Sequence, residues 1–175
     1  MTAKKQGQSP HNHASMGEEY LKIRDMNLPH ELCGVLEIIR VICAEYSSAT
    51  PQNLRVAADV AYAWFGPTLG KAIFKLTSQL LRVLRQNRQS PFKFSNPACP
   101  VCRDYMTPHE QLLMKMVHSL MSGDVAKART AAIILCEGND EFDLIEAAKN
   151  LVVVCRTEKT TYEHVLDFYQ VKRLH

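Results

Sequence analysis

Apolar residues recur at steps of three and four along most of the chain, which is the spacing of one buried face of an α-helix. The first apolar stripe ends near Ser47. A second stripe follows, and the Gly66-Pro67 pair separates it from a third stripe that ends near Gln86. Because Gly followed by Pro interrupts a helix, the pattern predicts three helices in residues 28–86.

The helical pattern continues beyond a polar loop at residues 86–98. Thr107 and Glu110 have the spacing of a capping box, in which the two side chains satisfy free backbone N–H groups where a helix begins. A second pair with this spacing, Thr160 and Glu163, predicts the start of a last helix. With two more helices between these points, the chain has about seven helices and little sheet. We therefore predict an all-α fold of two packed helical halves.

The chain has 175 residues, which suits one domain or two small halves packed on each other. We expect a mostly disordered polar tail at residues 1–27, an N-terminal basic helical half at 28–98 and a C-terminal helical half at 99–175. No apolar run reaches the roughly 18 residues of a membrane span, and the polar N-terminus lacks the apolar core of a secretion signal. These features predict an intracellular protein, cytoplasmic or nuclear, with no membrane contact.

Positive charge is concentrated in the first half of the chain. Residues 1–98 carry 12 Lys and Arg against 7 Asp and Glu, whereas residues 99–175 carry 9 against 11. No acidic residue occurs between Asp59 and Asp104. Six cations of that stretch are candidate contacts for phosphate groups: Lys71, Lys75, Arg82, Arg85, Arg88 and Lys93. The first four are four, seven and three residues apart and therefore share one face of the third helix.

This basic helix predicts a regulatory protein that binds nucleic acid, either DNA or RNA. Each phosphate neutralised by Lys or Arg releases a counterion, which favours binding. Phe92 and Phe94 lie among the cations, and bases of a single strand stack on such rings. An acidic protein surface is an alternative partner. A third interpretation pairs the cations with acidic residues of the C-terminal half, which is net negative.

A second function, from a different class, is also consistent with the sequence. The segment 106–121 is rich in methionine, and methionine surfaces repack around different partners. The protein would then be an interaction adaptor or anti-activator with an apolar helical surface. The methionines concerned are Met106, Met114, Met116 and Met121. Self-association through such a surface would give a homo-oligomer.

Two of the six cysteines, Cys99 and Cys102, stand apart in a Pro-rich loop. A Cys-x-x-Cys turn resembles a zinc knuckle, which places two thiolates on one tetrahedral ion. We expect His109 as the nearest third ligand of a structural zinc, with the fourth ligand taken from elsewhere. Candidates for that ligand are Cys136, Cys33 and His164. A redox pair, a regulatory disulfide and a loop with two ordinary cysteines remain open as alternatives.

Enzymatic motifs are missing from the sequence. Gly66 and Gly70 lack the spacing of a phosphate-binding loop and the Lys-Ser/Thr that follows it. His30-Glu31 and His109-Glu110 lack the second histidine that a zinc protease motif requires. We therefore expect no enzymatic activity.

Overall fold

The computed structural model describes residues 19–47 and 54–171, with side chains as far as Arg156. Five α-helices form most of it. They are α1 (His30–Ser47), α2 (Arg55–Gln86), α3 (Pro108–Met121), α4 (Val125–Leu135) and α5 (Phe142–Val171). Two short strands, β1 (Leu21–Lys22) and β2 (Tyr105–Met106), and two 3₁₀ helices, Ile23–Met26 and Cys102–Asp104, complete the described part.

The prediction of a mainly helical fold is confirmed, but residues 19–47 and 54–171 contain five α-helices rather than about seven. The second and third predicted helices are the two parts of α2, and the predicted break between them is present as a kink at Gly66, where the backbone is not helical. The last two predicted helices are one continuous helix, α5, which passes through Thr160 without a break. Neither Gly nor Pro occurs in α5, so nothing in its sequence forces the chain to leave the helix there. A capping-box spacing is therefore insufficient to predict a new helix.

Part of the predicted N-terminal tail belongs to the fold. Strands β1 and β2 pair antiparallel, with Leu21 opposite Met106 and Lys22 opposite Tyr105. The Gln111 side-chain amide donates a 2.7 Å hydrogen bond to the carbonyl oxygen of Glu19. Residues 19–27 of the predicted tail are thus part of the fold, and residues 1–18 lie outside the described part.

The two halves of the chain share one apolar core. Helices α1 and α2 pack together, α3 packs on α4, and α5 packs against both α2 and α3. Ile39 and Ile73 from the first half and Leu113 and Leu144 from the second are fully buried in the same cluster. The boundary near residue 98 is therefore a connection within a packed unit.

Within residues 19–47 and 54–171, every helix is too short or too polar to cross a bilayer.

A buried ion pair between Arg40 and Glu110 joins the two halves of the chain. The Arg40 guanidinium, on α1, lies 2.7 Å from the Glu110 carboxylate, and both side chains are almost fully buried. The same guanidinium donates 2.6 Å hydrogen bonds to the carbonyl oxygens of Arg103 and Tyr105. The carboxylate also accepts the backbone N–H groups of Ser95 and Thr107. This cluster attaches the loop before α3 to α1.

Candidate nucleic-acid interface

The direction of the basic helix is set by a kink in α2. Gly66 has φ 71° and ψ 174°, a conformation that favours glycine, and Pro67 then begins the second half of the helix. Gly70 allows the backbone on the two sides of the kink to approach closely. A Cβ at this position would lie 2.6 Å from the carbonyl oxygen of Ala61. The segment from Pro67 to the end of α2 carries the predicted basic face.

Four cations share the solvent side of this segment, as predicted. We call Lys71, Lys75, Arg82 and Arg85 the basic face, and all four are exposed. At 100° per residue they fall within an arc of about 80°. The opposite side of the segment is buried against the core through Ile73, Thr77, Leu80 and Leu84.

The basic face has no acidic partner in the described residues. The ion pairs within 4.0 Å in this part of the structure involve other cations, such as Lys127 with Asp124 and Lys149 with Glu146. Pairing with acids of the C-terminal half, one of our interpretations, is therefore not observed for these four residues. Among the described side chains, these four charges are therefore not neutralised by an ion pair.

A cleft of about 530 Å³ opens where the basic face ends. Its walls are the last turns of α1 and α2 and the loop that follows α2. Arg82 and Arg85 line it together with three aromatic rings, Tyr46, Phe92 and Phe94. We call this group of five residues the aromatic cleft. Tyr46 is 45% exposed, and the two Phe side chains are partly exposed.

The loop that carries Phe92 and Lys93 is held in place by α3. The Lys93 N–H donates a 2.8 Å hydrogen bond to Nδ1 of His109, and the Lys93 carbonyl accepts one from the Thr107 hydroxyl. The Phe92 and His109 rings are in contact, with centroids 5.7 Å apart. Burial, assisted by Arg88 and Lys93, lowers the pKa of His109, which favours the neutral ring that can accept this N–H. The Lys93 side chain is exposed beside the cleft.

Arg88 is placed differently from the other predicted contacts. Its side chain is only 4% exposed and pairs with Glu137 at 3.2 Å. It also donates a 3.0 Å hydrogen bond to the Leu135 carbonyl, at the end of α4. Hydrogen bonds from the Ser90 hydroxyl and from the Gln89 N–H lower the pKa of Glu137 to about 2, so the pair stays charged well into the acidic range. Arg88 connects the loop to α4; it also lines the cleft described above, but there its guanidinium is engaged by Glu137 and by the Leu135 carbonyl.

The cysteine pair forms a tight turn at the surface. The Cys102 N–H donates a 3.3 Å hydrogen bond to Sγ of Cys99. The Arg103 N–H donates to the Cys99 carbonyl at 3.1 Å, and the Asp104 N–H donates to the Val101 carbonyl at 3.3 Å. Neither cysteine forms a disulfide, and both residues are partly exposed. The turn therefore holds the two cysteines next to each other near the surface.

The structure does not bring His109 to this turn. Its ring lies between Phe92 and Arg88, and its Nδ1 is occupied by the Lys93 N–H. No group of three His, Cys, Asp or Glu side chains suited to a metal occurs among the residues with described side chains. The proposed fourth ligands Cys136 and Cys33 are likewise not gathered there, and the side chain of His164 lies outside the described part. The predicted metal set therefore reduces to Cys99 and Cys102.

The methionine-rich segment 106–121 does not form an exposed apolar surface through its methionines. Met106, Met114 and Met116 are fully buried, and Met121 is only partly exposed. These side chains fill the core between α3 and its neighbours. The adaptor hypothesis thereby loses the apolar surface on which it depended.

One residue of the cleft was missed in the sequence. The periodicity assigns Tyr46 to the apolar stripe of α1, but this ring projects from the last turn, beyond the core. Its position at the very end of the stripe is the signal that distinguishes it from Ile39 and Ile42. A polar aromatic residue in a last helical turn is therefore a candidate for exposure.

Comparison with known proteins does not indicate a function for this chain. No protein-family model, curated protein or solved structure matches the chain.

Proposed function

We propose that the protein is a non-enzymatic regulatory protein that binds nucleic acid with the basic face and the aromatic cleft. The observation that carries this proposal is the continuity of the two features. Four exposed cations without acidic partners in the described residues lead into a cleft lined by three rings. Cations bind the phosphate groups of a nucleic acid, and aromatic rings stack on its unpaired bases.

The dimensions of the basic face suit an extended strand. Lys71 and Arg85 are 14 positions apart, which corresponds to about 21 Å along a helix. The sugar-phosphate backbone would follow these cations toward the cleft, and Lys93 would add a contact at its far side. Binding sites of this kind cover a few nucleotides in other single-strand-binding proteins.

The rings favour a single strand over a duplex. In a duplex the faces of the bases are stacked on one another and cannot reach side-chain rings, whereas unpaired bases can stack on them. The arginines at the cleft can also stack on bases while they contact phosphates. We therefore propose single-stranded DNA or RNA as the ligand class, and absence of oligonucleotide binding in the test below would favour an acidic protein surface instead.

The test is a salt titration of binding to labelled oligonucleotides of equal length, single-stranded and double-stranded. Four to five phosphate contacts on a single strand predict that log K falls with log salt with a slope of about −3. Affinity for the single strand should then decrease about 60-fold between 50 and 200 mM salt. Absence of binding at 50 mM salt would overturn the proposal. Equal affinity for the single strand and the duplex would show that the protein contacts phosphate groups without stacking on bases.

A further inference from the structure

The loop that forms one wall of the aromatic cleft is attached to the end of α4. We call residues 87–95 the cleft loop, and two of the three cleft rings, Phe92 and Phe94, belong to it. We propose that Glu137, just beyond α4, is a positioning residue whose carboxylate holds the cleft loop in the shape that stacks on unpaired bases. This inference rests on the proposed function, because it concerns the same cleft.

The Glu137 carboxylate binds three successive residues at the start of the cleft loop. It accepts the backbone N–H of Gln89 at 2.7 Å and that of Ser90 at 3.2 Å. The Ser90 hydroxyl also donates to it, and the Arg88 guanidinium donates at 3.2 Å. Hydrogen bonds to an ionised acceptor are stronger than those between neutral groups. One side chain therefore fixes both the backbone and the side chains of this part of the loop.

Further hydrogen bonds hold the two ends of the cleft loop. At its start, the Asn139 side-chain amide donates a 3.1 Å hydrogen bond to the Asn87 carbonyl. At its end, the N–H groups of Lys93 and Ser95 donate to side chains of α3. The two Phe rings therefore belong to a loop whose backbone is bound on both sides of them. The contacts of Glu137 supply most of the attachment at the start.

The backbone conformation of Glu137 also points to a role for its side chain. Its φ of 57° lies in the left-handed region that favours glycine. The N–H groups of Glu137 and Gly138 donate to the carbonyls of Ile134 and Ile133, at 3.1 and 3.0 Å. A helix end with these two hydrogen bonds usually has glycine at the position of Glu137. Residues held in such a conformation cluster at functional sites, and the loop contacts give this glutamate a function.

A loop that is ordered before binding favours affinity, because the entropy of ordering it is not lost when the ligand arrives. Stacking depends on the positions of the loop rings, whereas most of the phosphate contacts come from the basic face on α2. Loss of the Glu137 carboxylate should therefore weaken stacking and leave the phosphate contacts in place. The same change removes a negative charge near the basic face, which by itself would strengthen binding to a polyanion. The two effects on affinity have opposite signs and can be separated.

The test compares the full chain with its Glu137→Gly variant in binding to a labelled thymidine oligonucleotide and to an abasic strand of the same length. Glycine adopts a positive φ readily, so the end of α4 keeps its backbone. Affinity for the thymidine strand should fall about tenfold, and affinity for the abasic strand should change less than about twofold. The control for charge is Glu141→Gln, which removes a carboxylate that pairs with Arg129 instead. This control should lose no affinity for either strand.

Amide hydrogen exchange tests the loop independently of binding. In the free, unaltered chain the N–H groups of Gln89 and Ser90 should be protected, because the Glu137 carboxylate accepts both. In Glu137→Gly the exchange of these two amides should be faster by about tenfold or more, with that of the α2 amides unchanged. Circular dichroism of the variant would verify that its helices are intact.

Several results would overturn the role of Glu137. If the unaltered chain binds the thymidine strand and Glu137→Gly binds it equally well, this inference fails while the proposed function stands. Equal losses for the thymidine and abasic strands would show that the carboxylate does not act through stacking. Unprotected Gln89 and Ser90 amides in the free, unaltered chain would show that the loop is not held. If the unaltered chain binds neither strand, the proposed function fails and this inference fails with it.

Discussion

Glu110→Gln should lower the free energy of unfolding by about 3–5 kcal/mol, the loss typical of a buried ion pair that loses one partner. Each carboxylate oxygen of Glu110 accepts two hydrogen bonds, from Arg40 and Ser95 on one side and from Arg40 and Thr107 on the other. The amide of Gln would turn two N–H donors toward these donors and would leave the Arg40 charge buried without a counter-charge. Urea unfolding followed by circular dichroism measures the loss.

The matched control is Glu146→Gln. Glu146 pairs with Lys149 at 2.6 Å, but both side chains are about half exposed. The control should therefore change stability by less than about 1 kcal/mol. In a double-mutant cycle, Arg40→Met with Glu110→Gln should lose less than the sum of the single losses, by about 1 kcal/mol or more. A loss for Glu110→Gln as small as that of the control would contradict a buried pair.

The second large effect is on binding. Arg82→Glu with Arg85→Glu should lower the affinity for a single-stranded oligonucleotide by about 100-fold or more at low salt. Both side chains lie where the basic face meets the aromatic cleft, so their reversal replaces two phosphate contacts by two repulsions. The dependence on salt should also weaken, because the loss of two contacts reduces the slope by about 1.4. Fluorescence anisotropy across a salt series measures both quantities.

The control for this prediction carries the same change of charge on another surface. Lys115→Glu with Lys149→Glu alters two exposed residues of α3 and α5 that lie outside the basic face. Screening by salt limits the effect of distant charges, so affinity should fall less than about fivefold. Stability of the Arg82→Glu/Arg85→Glu variant should be close to that of the unaltered protein, because neither arginine has an ion pair to lose in the described residues. Equal losses of affinity in the two double variants would show that only net charge matters.

Local sequence patterns predicted the helices because helix formation depends on neighbouring residues. The stripe of α1, the Gly66-Pro67 kink of α2 and the capping box at Thr107 are all read from residues within a few positions of one another. The β1–β2 pairing escaped prediction because each strand has only two residues and their partners are more than 80 positions apart. Such pairings carry almost no local signal.

The candidate site also depends on long-range contacts that local sequence patterns do not reveal. Arg85 and Arg88 are three positions apart and look equivalent in the sequence, yet one is exposed and the other is buried. The difference arises because α2 ends at Gln86, after which the chain turns and directs Arg88 toward the carbonyl of Leu135. His109 was assigned to the cysteines by proximity in sequence, but the capping box fixes it at the start of α3, where it faces Lys93. Tertiary contacts decide both cases.

The most direct measurement is photo-crosslinking of a single-stranded oligonucleotide containing 5-iodouracil, followed by mass spectrometry of the linked peptides. Stacking in the aromatic cleft predicts crosslinks at Tyr46, Phe92 or Phe94, and their loss in the Arg82→Glu/Arg85→Glu variant. Crosslinks confined to other surfaces, such as the α4 side near Arg129, would contradict the proposed site. So would an oligonucleotide that binds tightly in solution and yields no crosslink at any of the three rings.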